Sequence, residues 1–370
     1  MRLVASGLCL QFILGMFILR TYPGQVLFSH ARDLVTGILR CADAGTLFLF
    51  SQEVLDTCPA LKMLPPIIFV SSVMAVLFHW GIMQWVVAGM ARLMVWVMDT
   101  SGAESLCAGA NTFVGMTEAP LVVRPYLDSM TRSELMAMMT SGMATVAGGT
   151  LVLYTAFGAD AGHLLTASLM SAPASLVVAK IILPETEDSP TKGRVTIDIP
   201  RKDANTLDAA CRGASEGLKL ALNVAAMLIA FVAIVYLINW ALSPIFVYGE
   251  PLTLERVFGW MFCPIAWLIG VPWKDAQAVG TLLGEKTVLN EVLAFIELEK
   301  IKDTLSPRSV TIATYALCGF ANFGSVAIMI GGVGSLVPQR RADLAKYGLY
   351  SLVGGTLAAL MTAAVAGMLI

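Results

Sequence analysis

The run Gly109-Ala-Asn-Thr-Phe-Val-Gly-Met-Thr-Glu-Ala-Pro-Leu-Val-Val-Arg-Pro125 constrains the fold more than any other stretch of the chain. It gathers Asn111, Thr117, Glu118 and Arg124 within a chain whose long segments are otherwise almost wholly apolar. Gly109, Gly115, Pro120 and Pro125 punctuate it, which argues against one unbroken membrane-crossing helix. A carboxylate at bilayer depth is costly unless it faces protein or water, and non-helical backbone survives there only where protein buries it or a cavity hydrates it. These residues predict a helical hairpin dipping into the membrane, its broken tip presenting backbone groups and Glu118 to a solute. The alternative is a loop outside the bilayer with Glu118 solvated.

The membrane setting follows from composition. Of the 370 residues, 57% are hydrophobic and 14% charged, whereas soluble domains carry about a quarter charged residues. A formal net charge of −2 gives no reason to expect nucleic acid. The seven cysteines, at positions 9, 41, 58, 107, 211, 263 and 318, form no CxxC and no grouping with His30, His79 or His163. Neither a disulfide framework nor a zinc site is expected. Residues 3–19 lead straight into further apolar segments, so they are expected to be a first span rather than a signal peptide.

In order, residues 26–50 have the mixed character of a helix lying at the membrane interface. An apolar run extends from Leu64-Pro-Pro to about Met98. The hairpin is expected over 101–130, followed by spans at 133–154 and 162–183. The polar segment 184–205 divides the chain. A span at 215–242 and an interfacial stretch at 254–273, rich in tryptophan, come next. Then the theme returns. Gly280-Thr-Leu-Leu-Gly-Glu-Lys-Thr-Val-Leu-Asn-Glu-Val-Leu-Ala-Phe295 is a second broken apolar segment with an embedded acid, Glu291, and spans at 308–336 and 341–370 follow it. Gly142-Met-Ala-Thr145 can be laid on Gly319-Phe-Ala-Asn322, each downstream of one of the two acids. Interrupted apolar segments at corresponding places in two halves point to a transporter's midplane site.

Lys192, Arg194, Arg201 and Lys202 in the central loop, and Arg340, Arg341 and Lys346 before the last span, assign both regions to the cytoplasm. The C-terminus is then outside and the two hairpins enter from opposite faces. The expected fold is an all-α polytopic membrane protein of inverted repeats, with two re-entrant helical hairpins and interrupted helices. Its expected divisions are peripheral scaffold helices (1–100), a first repeat (101–183), a cytoplasmic loop (184–214), a scaffold span with an interfacial helix (215–273), and a second repeat (274–370).

The run Asn111 to Pro125, then Ala144-Thr-Val-Ala-Gly-Gly149, Pro184-Glu-Thr-Glu187, Asn290-Glu291 and Gly319-Phe-Ala-Asn-Phe-Gly-Ser325, resembles the concentrative nucleoside transporter family, bacterial type, in order over essentially the whole chain. Bacterial members usually carry one more helix ahead of the equivalent of residues 3–19, a segment peripheral to the site. The resemblance implies a homotrimer of the cytoplasmic (inner) membrane that couples sodium entry to nucleoside uptake, with no other cofactor and no enzymatic activity. It implies that Thr117 and Glu118 face the nucleobase. Glu291, Asn322 and Ser325 would hold the ribose hydroxyls, while Phe320 and Thr150 line the pocket. Asn111, the Val114 carbonyl, Thr145 and the Val146 carbonyl would take sodium, a hard cation suited to oxygen ligands.

Two positions depart from the family pattern. Met116 stands where relatives often have a base-binding glutamine, and Thr150 where an apolar residue is common. Both leave purine against pyrimidine preference (adenosine against uridine or cytidine) open. Thr145 replaces a common serine and keeps the hydroxyl, which favours sodium over the proton as coupling ion. The alternatives are proton-coupled nucleoside symport and, in another class, an intramembrane enzyme using Glu118 and Glu291. Against the enzyme, no HExxH motif is present and the two acids sit in repeat-related positions, as transport sites do.

Overall fold

The computed structural model describes residues 2–52, 59–193, 203–247 and 249–370. Cys58, Arg194, Arg201 and Lys202, named above, lie outside the described residues. Helix α1 (Arg2–Arg20) leads to α2 (Tyr22–Leu49), whose start is set by Thr21 accepting from the Gly24 amide and by a proline in the first turn, where no amide hydrogen is needed. The apolar run expected from residue 64 to 98 is not continuous. It forms α3 (Pro59–His79) and α4 (Ile82–Met98), bent by 76°. Gly81 makes the corner with φ +81°, a left-handed conformation that glycine adopts without a Cβ clash.

The first hairpin rises as α5 (Gly102–Asn111), breaks over residues 112–118, and returns through α6 (Ala119–Val122) and a 3-10 turn at Arg124–Tyr126. The expected single span at 133–154 is interrupted: α7 (Arg132–Ala144) and α8 (Gly148–Ala156) flank an extended break. Helix α9 (Ala161–Ile182) completes the unit. Ser101 with Glu104 and Thr131 with Glu134 form capping boxes at the starts of α5 and α7, satisfying backbone donors that the helix itself leaves unpaired.

After α10 (Thr206–Leu242), the pair Phe246–Val247 and Glu250–Pro251 makes a minimal antiparallel ribbon. Helix α11 (Leu254–Leu268) carries the expected exposed tryptophans, and Trp267 meets Trp273 edge to face at 6.3 Å. The chain then turns through 119° into α12 (Trp273–Val288). The second hairpin is therefore longer than the expected 280–295: α12 ascends and α13 (Glu291–Ile301) returns. The expected span at 308–336 is also broken, into α14 (Pro307–Leu317) and α15 (Phe323–Leu336), with Gly319 at φ +136° in the break. Helix α16 (Arg341–Leu369) ends the chain. The order arm, tip, arm, broken helix, long helix thus occurs twice.

The two larger buried clusters cross this repeat. One joins the first hairpin and α7 to α15 and α16, through Leu106, Met139, Met329 and Tyr347. The other joins α8 and α9 to the second hairpin and α14, through Tyr154, Phe295 and Tyr315. Helix α16 presents buried Gly354, Gly355, Ala358 and Ala359, and packs on α7 and α9. Small residues are what close packing in lipid requires, because apolar burial drives little association there. Helices α3 and α10 pack on each other, and α10 leaves Ile229, Tyr236, Leu237 and Trp240 exposed. At the base of the first hairpin, the buried Lys180 Nζ lies 2.7 Å from a Glu104 carboxylate oxygen. The Thr191 carbonyl accepts from the Gly102 amide at 2.9 Å, tying the loop after α9 to the hairpin's foot.

Candidate functional site

Both hairpin tips and both helix breaks meet at one cavity of about 570 Å³, within the range of small-molecule sites. The first hairpin contributes Met116, Thr117 and Glu118; α8 contributes Thr150; the second hairpin contributes Glu291; the break before α15 and its first turn contribute Phe320, Asn322 and Ser325. All eight candidate substrate residues line this space. Toward the rim stand Arg124 and Glu216, both exposed.

Glu291 is the most elaborately held of them. It is 4% exposed at the first position of α13, directly after the N-cap Asn290, whose side-chain oxygen accepts from the Leu293 amide. One Glu291 carboxylate oxygen accepts from the Tyr154 hydroxyl at 2.8 Å and the other from Asn322 Nδ2 at 2.8 Å. Tyr154 is itself fixed by stacking on Phe295, ring centres 4.4 Å apart. Both donors are neutral, and each carboxylate oxygen keeps acceptor capacity toward the cavity. Tyr154 was missed from sequence, where a tyrosine in an apolar helix reads as packing.

Asn322 and Ser325 are joined through a helix cap rather than lying on one helix face. Asn322 precedes α15 as its N-cap, with Oδ1 accepting from the Ser325 amide at 2.8 Å. The asparagine thus bridges two elements, one end capping α15 and the other holding Glu291. Thr150 donates to the Ala147 carbonyl at 2.8 Å, so its hydroxyl proton is spent on the helix start and its lone pairs remain.

The candidate ion residues lie on the first hairpin and at the α7–α8 break. Asn111 is 1% exposed; its Nδ2 donates to Ser141 Oγ at 2.9 Å, while its Oδ1 is buried with no hydrogen-bond partner among the described residues. Thr145 donates its hydroxyl proton to the Ser141 carbonyl at 2.8 Å. No described residue donates to the Val114 or Val146 carbonyl. The Phe113 carbonyl accepts from the Gly148 amide at 2.9 Å, stitching the tip to the α7–α8 break. A buried oxygen without a donor, as Asn111 Oδ1 is among the described residues, is costly unless a cation meets it; hydroxyl, amide and carbonyl oxygens suit a hard ion such as sodium. Ser141 holds both Asn111 and Thr145, one through its hydroxyl and one through its carbonyl. In sequence it was only one of several small hydroxylic residues.

Two broken hairpins and two broken helices converging on one cavity, each hairpin bringing a carboxylate, define a secondary transporter of the repeat type. Comparison with known proteins specifies which. Residues 163–367 match the family described as "Na+ dependent nucleoside transporter C-terminus", residues 1–53 its N-terminus, and residues 60–161 "Nucleoside recognition". The chain belongs to this concentrative nucleoside transporter family. It is 45% identical over 375 residues to "Uncharacterized transporter YutK" of Bacillus subtilis, covering all of this chain and 93% of that one. It is 44% identical over 387 residues to "Solute carrier family 28 member 3" of Rattus norvegicus, again over its full length, but it spans only 55% of the length of that relative. The solved "Structure of CNTnw in an inward-facing substrate-bound state" superposes with a TM-score of 0.93 at 39% identity, covering 100% of this chain and 91% of that chain. The fold is therefore that of an all-α polytopic membrane protein with inverted repeats and re-entrant hairpins, and the family is one of transporters, not enzymes.

Proposed function

We propose that this protein takes up nucleosides across the cytoplasmic membrane by coupling them to inward sodium flow, as a homotrimer with its C-terminus outside. The observation that carries the reading is the pairing of the cavity shared by Glu118 and Glu291 with Asn111 Oδ1, buried at the end of α5 without a partner among the described residues. A ribose diol offers two hydroxyl donors, and Glu291 can accept both through charge-assisted bonds while Tyr154 and Asn322 hold it. Ser325 and Asn322 complete that end. Thr117, Glu118, Met116 and Thr150 surround the base, and Phe320 supplies an apolar wall.

Sodium takes Asn111, the Val114 carbonyl, Thr145 and the Val146 carbonyl. These groups come from the hairpin tip and from the break that begins α8, so an ion between them pins the two together. The same tip carries Thr117 and Glu118, and α8 carries Thr150. Ion binding therefore favours the arrangement that receives the nucleoside, and by linkage nucleoside favours the ion. Helices α3 and α10, with the apolar face of α10 exposed, form the scaffold through which protomers associate.

Uptake of radiolabelled uridine and adenosine into proteoliposomes tests this. Accumulation above the external concentration is expected with an inward sodium gradient and not without it. Accumulation driven by a proton gradient alone would transfer the coupling to the proton. No uptake by folded protein would refute nucleoside transport.

A further inference from the structure

Gly331 and Gly332 stand side by side within α15, an apolar helix in which glycine is disfavoured relative to every residue but proline. Their surroundings differ. A Cβ at Gly331 would meet nothing within 4 Å, whereas a Cβ at Gly332 would lie 2.6 Å from Thr117 Cγ2 and 3.3 Å from Thr117 Cβ. Carbon atoms in contact sit about 3.5–4.0 Å apart, so Thr117 occupies the space that any other side chain at 332 would fill. The first hairpin tip rests in the same way on α7, where a Cβ at Gly142 would lie 2.9 Å from Met116 Cβ and 3.5 Å from Met116 Cα. Adjacent tip residues are thus received by two glycines, one from each repeat.

Gly332 continues the face of α15 that borders the cavity. Ser325 and Ile328 line that space, and residues at i, i+3 and i+7 share one side of a helix. The same helix begins at its cap Asn322, whose Nδ2 holds Glu291 of the second tip at 2.8 Å. From Asn322 to Gly332 is roughly 15 Å at a rise of about 1.5 Å per residue. Helix α15 therefore meets the second tip at one end of this interval and the first tip at the other, with Ser325 and Ile328 between them.

We propose that Gly332 determines base specificity without lining the cavity: by letting Thr117 close onto α15, it sets the gap between the first tip and that helix, and with it the size of nucleobase that fits. This rests on the nucleoside reading of the site, in which Thr117 and Met116 surround the base. A methyl group at 332 holds Thr117 off by about 1 Å, the difference between 2.6 Å and an ordinary carbon contact. The wider gap costs a pyrimidine its contact with the tip, while the larger two-ring adenine still reaches across it. Gly332 is a positioning residue, since it acts on the base through Thr117.

The test is calorimetric titration, in nanodiscs at saturating sodium, of uridine and adenosine into wild-type protein, Gly332→Ala, Gly331→Ala, Thr117→Ser and the double variant Gly332→Ala/Thr117→Ser. Gly332→Ala is expected to raise the uridine Kd roughly three- to tenfold, the loss of one neutral hydrogen bond, and the adenosine Kd by less. Gly331→Ala adds the same atom to the same helix in open space, and both nucleosides are expected to bind it as they bind the wild type. Thr117→Ser removes the Cγ2 that the new methyl would strike and keeps the hydroxyl, so the double variant is expected to match Thr117→Ser alone. A ratio of uridine to adenosine Kd that is unchanged or lowered in Gly332→Ala would overturn the proposal. So would the same shift in Gly331→Ala, or a double variant that stays impaired relative to Thr117→Ser. If Gly332→Ala does not fold, a double variant that folds and binds uridine supports the proposal, and one that is equally unfolded overturns it. Wild-type protein that binds neither nucleoside would instead refute the underlying nucleoside assignment.

Discussion

Replacing Glu291 by glutamine isolates the charge of the carboxylate at nearly constant shape. In the wild type, Tyr154 and Asn322 each donate to one carboxylate oxygen at 2.8 Å, leaving an acceptor position on each oxygen for the ribose diol. Glutamine can hold Asn322 through its oxygen and turn its NH2 toward Tyr154, whose hydroxyl can accept. The neighbours stay satisfied, so the fold is expected to survive. Toward the cavity, two charged acceptors become one neutral acceptor and one donor. Hydrogen bonds to charged groups contribute about 1.5–3 kcal/mol and neutral ones about 0.5–1.5. Two bonds weakened in this way lose about 2–3 kcal/mol, roughly 30- to 150-fold in Kd. Calorimetric titration of nanodisc-embedded protein with uridine and with 2′,3′-dideoxyuridine measures both sides of the comparison. The loss should fall on uridine and largely spare the dideoxy compound. If both weaken equally, Glu291 does not hold the ribose and its effect is on the shape of the site.

Other perturbations probe the remaining parts. Thr145→Ala removes one of the four candidate ion ligands, and the sodium concentration for half-maximal uptake should rise several-fold; an unchanged sodium dependence would remove Thr145 from the ion site. Met116→Gln exchanges a weak thioether acceptor for a full donor and acceptor beside the base, and the uptake ratio of uridine to adenosine should increase. Lys180→Met strands Glu104 at the foot of the first hairpin, where the pair is 2.7 Å apart and buried. Breaking a buried ion pair from one side costs about 3–5 kcal/mol, so thermal unfolding should shift to markedly lower temperature; an unshifted Tm would mean that the pair contributes nothing to tying the loop to the hairpin.

Different features were legible to different degrees. Both hairpins stood out because Gly, Pro and charged residues interrupt apolar runs, an arrangement that lipid penalises in the absence of a compensating structure. The corner at Gly81 did not, since a lone glycine in an apolar run is common and only its φ of +81° marks the turn. Residues 133–154 and 308–336 looked continuous because their breaks contain residues a packed helix also tolerates. Tyr154 and Ser141 gave no distinguishing signal. A tyrosine reads as packing and a serine as a small interface residue until the partner is known, and Tyr154 finds its partner 137 positions away. Nothing in the sequence sets Lys286, beside Glu285, apart from a solvated lysine; its burial and its bond to the Ala316 carbonyl do.

By itself, the sequence determined that this is a multi-span helical membrane protein with two interrupted, acid-bearing segments in corresponding halves. Those properties follow from local composition and from the cost of polar backbone in lipid, which acts residue by residue. Only the tertiary structure decided that the two tips share one cavity, that Asn322 caps a helix while holding Glu291, that Ser141 holds both Asn111 and Thr145, and that Lys286 faces inward. Each includes at least one pair of groups that meet across a long separation, as Asn322 meets Glu291 and Asn111 meets Ser141. That pairing is set by how the two repeats interlock, a collective packing outcome that no short stretch of the chain encodes.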